Sequence, residues 1–243
     1  MLSLVRGQSD DHAKAEALSK ALAEEVLPLT LGEQELVRET WTMLESNLAD
    51  NGIALYLRLF EIAPEAKGLF AFSEDEENPL HKDPTMRLHA TEVLRSLGLA
   101  ACRIGQSMRI GGVLENLGRR HVDYGATLEV YSVTKEAFLW VVERALEENS
   151  CPEVLTAWSK AYDNLANAMK RGHQAVVEER RRAAPRNGSP ARPPRSSPRK
   201  LRPFSKLGLN KLRSFGDRIT SEKGRTWHGA TQYAAATMGT SNV

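Results

Sequence analysis

Two histidines in this chain carry the residue type and setting of metal ligands. His121 closes the run "ENLGRRHVDYG", Glu115 to Gly125, and His89 lies within "MRLHATEVLRSLGLA", Met86 to Ala100. In helical register His121 shares a face with Leu117 and Leu114, and His89 shares one with Val93, Leu97 and Ala100. Each ring therefore points inward with the apolar stripe of its own helix. For any one such residue a hydrogen-bonded core imidazole is the commoner reading. Two of them on successive helices raise the ligand reading to equal standing, since a buried imidazole with no partner costs about 1–3 kcal/mol. Periodicity alone leaves both readings open.

The chemistry two such histidines could support is narrow. A zinc site needs three or four protein ligands, and neither helix offers a Cys or another His on that face. Glu92, three residues after His89, invites a di-iron reading, but that site uses Glu-x-x-His motifs and none occurs here. A flat macrocycle that brings its own four nitrogens asks the protein for only one or two axial imidazoles and an apolar cover. With no Cys-x-x-Cys-His signature, haem in this chain would be the non-covalent b type.

The elements that must position these residues read as helices. Thr30 and Glu33 form a capping box, followed by Leu36, Val37, Trp41 and Leu44 at helical spacing. A second helix, "GIALYLRLFEIAP", stops at Pro64, where a short third begins. The acidic stretch Glu74–Glu77 reads as a solvated loop. Asp83 and Pro84 cap and open a long helix to about Ile104. A short helix over about 112–121, a long one over 128–149 and a last one opened by a Ser150/Glu153 capping box complete the body. No alternating period persists, so the body is expected to be all-α, with seven or eight helices.

Charge divides the chain. From His173 onward there are 15 Lys and Arg against 4 Asp and Glu, a net of +11; the 18 basic and 27 acidic residues before it give −9. Such a division separates a folded body from an interaction tail. We expect an N-terminal extension over 1–28, a folded domain over 29–175 and a largely disordered basic tail over 176–243, rich in Pro, Ser and Arg. The tail suggests an anionic membrane surface, a Src-homology-3 partner for "PARPPR" (Pro190–Arg195) or a PDZ partner for the terminal "TSNV". Ser189 and Ser197, each followed by proline, are phosphorylation candidates. Nucleic acid is disfavoured because aromatics do not alternate with the charges. The longest apolar run is about six residues, "AFLWVV", far short of the roughly 20 that span a bilayer. Two cysteines, Cys102 and Cys151, make no framework, so a cytoplasmic protein is expected.

From about Leu29 to Gly172 the chain resembles the globins, nearest to neuroglobin and globin X. "LVRETW" is similar to the first globin helix with its tryptophan, and "LYLRLFEIAPEAKGLFAF" to the next two, with Pro64 and Phe70 at globin positions. "LHATEV", "LGRRH" and "AWSKAY" follow in the family's order, with His121 32 positions after His89. The resemblance implies a globin fold, a three-over-three helical sandwich around haem b. It places His121 at the proximal iron position and His89 at the distal one, where it either ligates the iron or hydrogen-bonds a bound gas. Phe70, Val93, Leu117 and Tyr131 then contact the haem, and Tyr56 faces the ligand with Val93. Glu92 stands where related globins often carry a lysine near the propionates, and Arg120 is offered as a replacement cation. The resemblance implies reversible binding of O2, NO or CO, or redox sensing with a redox partner. Rival readings are a haem enzyme (nitric oxide dioxygenase or nitrite reductase) and a cofactor-free helical interaction module.

Overall fold

The computed structural model describes residues 28–70, 72, 79–104 and 108–183. Residues 1–27, the Glu74–Glu77 stretch, both Ser-Pro sites and the tail motifs fall outside the described residues, while residues 176–183 of the expected tail are helical. Within them there are six α-helices, three short 3-10 segments and no strand. The helices are α1 (Leu31–Ser46), α2 (Leu48–Ile62), α3 (Pro84–Ala101), α4 (Met108–Asp123), α5 (Glu129–Leu146) and α6 (Pro152–Ala183). None is long and apolar enough to cross a membrane.

The helix starts follow from side chains that satisfy free backbone N–H groups. Thr30 Oγ1 accepts from the Glu33 N–H, and Glu33 Oε2 accepts from the Thr30 N–H, a complete capping box. Asp83 accepts from the N–H groups of Thr85 and Met86 at 2.7 and 2.9 Å, with Pro84 in the first turn. α2 ends at Ile62, and Pro64 starts a 3-10 turn over Pro64–Leu69. The expected Ser150 box does not form. The Leu155 N–H reaches the Cys151 carbonyl, the Glu153 carboxylate accepts from Cys151, and the buried Ser150 Oγ has no partner. Pro152 opens α6 and moves the cap one residue along the chain.

α4 starts four residues earlier than expected, before Gly111 and Gly112. Two helical glycines cost about 1 kcal/mol each relative to alanine, and packing against α6 offsets that cost. Its end is a Schellman motif: Gly125 takes φ +82°, its N–H reaches the Val122 carbonyl, and the Ala126 N–H reaches the His121 carbonyl at 3.0 Å. The long helix expected over 128–149 divides at Leu146, because Glu147 adopts φ 49° and a 3-10 turn follows.

The core lies where α1, α2, α3, α5 and α6 meet. Trp158 is fully buried between Trp41 and Phe138, with ring centroids 6.4 and 5.5 Å away, and its Nε1–H donates to Thr40 Oγ1. α2 packs on α3 and α5, while α4 lies along α6. The stripe expected on α1 is the buried one: Val37, Trp41 and Leu44 face inward. α1 is tied to α6 by Lys160, whose Nζ lies 2.5 Å from Glu33 Oε1. Lys160 and the Thr30 cap hold the Glu33 carboxyl below its ordinary range. A depressed carboxyl pKa contributes stability above the unfolded value and loses it as pH falls through the folded one. Glu33→Gln should therefore flatten the acid side of the stability curve, and Thr30→Ala should cost about 1 kcal/mol at neutral pH. Thermal melts between about pH 3 and pH 6 check the first; an unchanged acid slope contradicts it.

Candidate functional site

α3 and α4 wall a cavity of about 190 Å³ for water centres, far above the roughly 10–15 Å³ that one water needs. Its lining is mostly aliphatic and aromatic and draws on α2, α3, α4, α5 and α6. The structure brings Tyr56, Phe70, His89, Val93, Leu117, His121 and Tyr131 to this one space. It does not bring Arg120 there. Arg120 precedes His121 by one residue, about 100° around the helix, and is exposed to solvent.

His121 is fixed from behind. Its Nδ1 lies 2.8 Å from the Leu117 carbonyl oxygen, and because a carbonyl only accepts, Nδ1 carries the proton and Nε2 holds the lone pair. The Schellman motif anchors the same residue's carbonyl. Tyr124 meets the ring edge-on at 5.9 Å, and Tyr131 lies tilted at 6.1 Å. Burial lowers the His121 pKa, opposed by the Leu117 hydrogen bond, with His173 lowering it further.

His89 is 2 % exposed. Its Nε2 lies 2.7 Å from the Tyr56 hydroxyl. Burial, with a smaller push from His121, lowers its pKa to about 3, so the ring is neutral across the physiological range. Tyr56 is also buried, which raises its phenol pKa and keeps it protonated. Tyr56 meets Phe70 edge-on at 5.4 Å, and Phe70 stacks on Phe72 at 5.1 Å. The aromatic cluster thus fixes the phenol that in turn fixes His89. Glu92, one turn after His89 on α3, is buried and not among the residues that line the cavity.

Several lining residues carried no signal of their own in the sequence. Leu69 joins the cavity from the 3-10 turn, Tyr124 from the end of α4, Thr134 from α5, and Tyr162 and Met169 from α6. Ser96 does too. Its hydroxyl is buried without a hydrogen-bond partner, although the spacing from His89 (seven residues, two turns) would have put it on the same face. Ser96→Ala should raise the stability of the haem-free protein by about 1 kcal/mol, because the substitution removes an unsatisfied buried group. Chemical denaturation measures it; a loss of similar size would show that the hydroxyl has a partner.

The donor set suits a haem. Two neutral imidazoles from two helices enter one apolar space, and one has its tautomer set by a backbone carbonyl. Among the described residues no group of three or more His, Cys, Asp or Glu could hold a bare metal ion. An all-helical body closed around such a cavity is the kind of protein that could enclose a flat cofactor.

Comparison with known proteins agrees. The Globin family model matches residues 53–169. An anaerobic nitrite reductase of Physcomitrium patens is 31% identical over 173 residues, 70% of this chain and 93% of that protein. Another from Casuarina glauca is 36% identical over 146 residues, covering 57% of this chain and 89% of that protein. One from Arabidopsis thaliana is 33% identical over 141 residues, covering 57% and 89%. The chain belongs to the globin family, which implies haem binding and diatomic gas ligands.

Proposed function

We propose that the protein holds haem b non-covalently, with His121 as the proximal iron ligand and His89 on the distal side, and that it binds O2, NO or CO reversibly. The arrangement of His121, with Nδ1–H given to the Leu117 carbonyl and Nε2 left as lone-pair donor in the cavity, carries the reading. Phe70, Val93, Leu117 and Tyr131 would cover the ring faces from the positions they occupy around that cavity. Haem supplies an iron with axial coordination positions and two accessible oxidation states.

The distal residues act through hydrogen bonds. Tyr56 and His89 are both neutral, and either can donate to a small ligand while the aromatic cluster keeps bulk water out. In the observed pairing His89 Nε2 is engaged by the phenol whichever atom carries the proton. For His89 Nε2 to hold an iron the Tyr56 hydroxyl would have to release it, so the phenol would compete for the nitrogen that a distal ligation needs. Apparent ligand affinity is then reduced by the fraction of sites that are open.

A second reading, nitrite reduction, is supported by the names of the relatives. Conversion of nitrite to nitric oxide consumes one electron and two protons and releases water; the electron would come from haem reduced beforehand to the ferrous state by an external reductant. The Tyr56 and His89 donors suit an anion with two oxygen acceptors. Two experiments on haem-loaded protein test these readings. The ferrous, ligand-free visible spectrum should show two sharp bands if both histidines ligate; a single broad band would leave His89 as a hydrogen-bond donor only. Anaerobic mixing with nitrite should yield nitric oxide at a rate that depends on Tyr56 and His89. A rate equal to that of free haem would remove the second reading.

A further inference from the structure

The match to the family model ends at residue 169, but α6 continues to Ala183, and its added turns do not project into solvent alone. They lie along α4, the helix that carries His121. At the crossing two glycines meet backbone reciprocally. A Cβ built on Gly118 would overlap the carbonyl oxygen of Met169, and one built on Gly172 would overlap the carbonyl oxygen of Glu115. Both obstacles are main chain, which no side-chain rotation can move. Gly112, on the same helix as Gly118, has nothing within 4 Å.

Three ion pairs extend the seam. Arg171 reaches Glu115 at 2.9 Å, Arg119 reaches Glu179 at 2.7 Å, and Arg180 reaches Asp123 at 2.5 Å. Each is exposed and weak alone, but together they fix the register of the two helices over residues 115–123 and 171–180. His121 lies inside that span. Leu117, whose carbonyl holds the His121 Nδ1–H, is the neighbour of Gly118. On the other helix, His173 follows Gly172, and its Nδ1 is 3.5 Å from the hydroxyl of Tyr131, whose ring packs beside His121. One contact line thus sets the backbone under His121 and the aromatic beside it.

We propose that the part of α6 beyond Met169 is a positioning element for His121. The Gly118–Gly172 crossing sets how far α4 stands from α6, and hence how far the imidazole reaches into the cavity. The proposal rests on His121 being the iron ligand. Adding a methyl at either glycine forces α4 and α6 apart, with α4 moving as a rigid helix because its own hydrogen bonds remain intact.

The test uses the full chain as Gly118→Ala, Gly172→Ala and, as control, Gly112→Ala. Three readouts are taken. They are amide hydrogen exchange of α4 in the haem-free protein, haem transfer to a scavenging apoprotein, and the iron–histidine stretching frequency by resonance Raman just after photolysis of the CO complex. Gly118→Ala and Gly172→Ala should shift that frequency and speed both exchange and haem transfer by on the order of 10-fold. Gly112→Ala should stay within about twofold of the parent, since its methyl meets nothing. If the parent has no iron–histidine band, the ligand assignment fails and the proposal with it. If the parent has the band but the seam variants match Gly112→Ala, the positioning role alone is wrong. Should both seam variants fail to fold, the Arg119→Ala/Arg180→Ala double variant keeps both glycines and removes two of the three pairs. It should shift the frequency away from the parent's value, and an unchanged frequency overturns the proposal.

Discussion

His121→Ala is expected to weaken haem retention by more than about 100-fold, because even removing a partner of a metal-binding histidine costs 10–100-fold. The ring has three fixed points behind that expectation. Its Nδ1–H is held by the Leu117 carbonyl, its own carbonyl is bound by the Ala126 N–H, and Tyr124 and Tyr131 flank the imidazole. Such restraint leaves Nε2 pre-placed, so little rotamer entropy is lost on ligation. Burial favours the neutral ring, which is the form with a lone pair to donate. The helix itself should survive the substitution, since alanine favours helix and the Schellman motif uses main-chain groups. Unchanged far-ultraviolet dichroism in the haem-free variant, with haem lost to a scavenger within the dead time, is the predicted pair of results. Added imidazole should restore part of the absorbance by filling the space left by the ring. His89→Ala should retain haem, because the proximal attachment remains.

Tyr56→Phe is expected to move the protein toward ligation by His89 and to slow CO association roughly 3- to 10-fold, the equivalent of one net buried hydrogen bond of about 0.5–1.5 kcal/mol. The phenol hydroxyl lies 2.7 Å from His89 Nε2, the same atom that must reach the metal. Phenylalanine keeps the edge contacts with Phe60 and Phe70 at 5.8 and 5.4 Å, so the ring stack should hold its place. What changes is the partner of Nε2, which then gains by turning to iron. A larger fraction of two-histidine ligation in the ferrous spectrum, together with slower CO binding, supports the competition. Faster CO binding with no spectral change would mean that Tyr56 restrains the ligand and not His89.

Much of this architecture is legible in the chain because its determinants are local. Thr30 with Glu33 and Asp83 with Pro84 mark helix starts by backbone chemistry alone, and both caps form. The inward faces of α3 and α4 follow from spacing, and His89, Val93, Leu97, Ala100, Leu114, Leu117 and His121 all line one cavity. Where two local signals compete, spacing misleads. Ser150 looks like a cap, but Pro152 fixes the first turn of α6 and moves the cap to Cys151. Gly111 and Gly112 look like a boundary, yet α4 runs through them because contact with α6 outweighs the local cost. The Tyr56–His89 hydrogen bond and the Gly118–Gly172 crossing join residues 33 and 54 positions apart, and no local pattern encodes such pairings.

The proposed function requires that His121 hold one haem in the cavity between α3 and α4. The most direct measurement is a titration of the purified, haem-free chain with haemin, read at the Soret band, followed by reduction and addition of CO. Saturation at one haem per chain and a CO-dependent shift of the band are expected, both absent from His121→Ala. A flat titration, or a parent and an alanine variant that bind haem equally well, would contradict the proposed function.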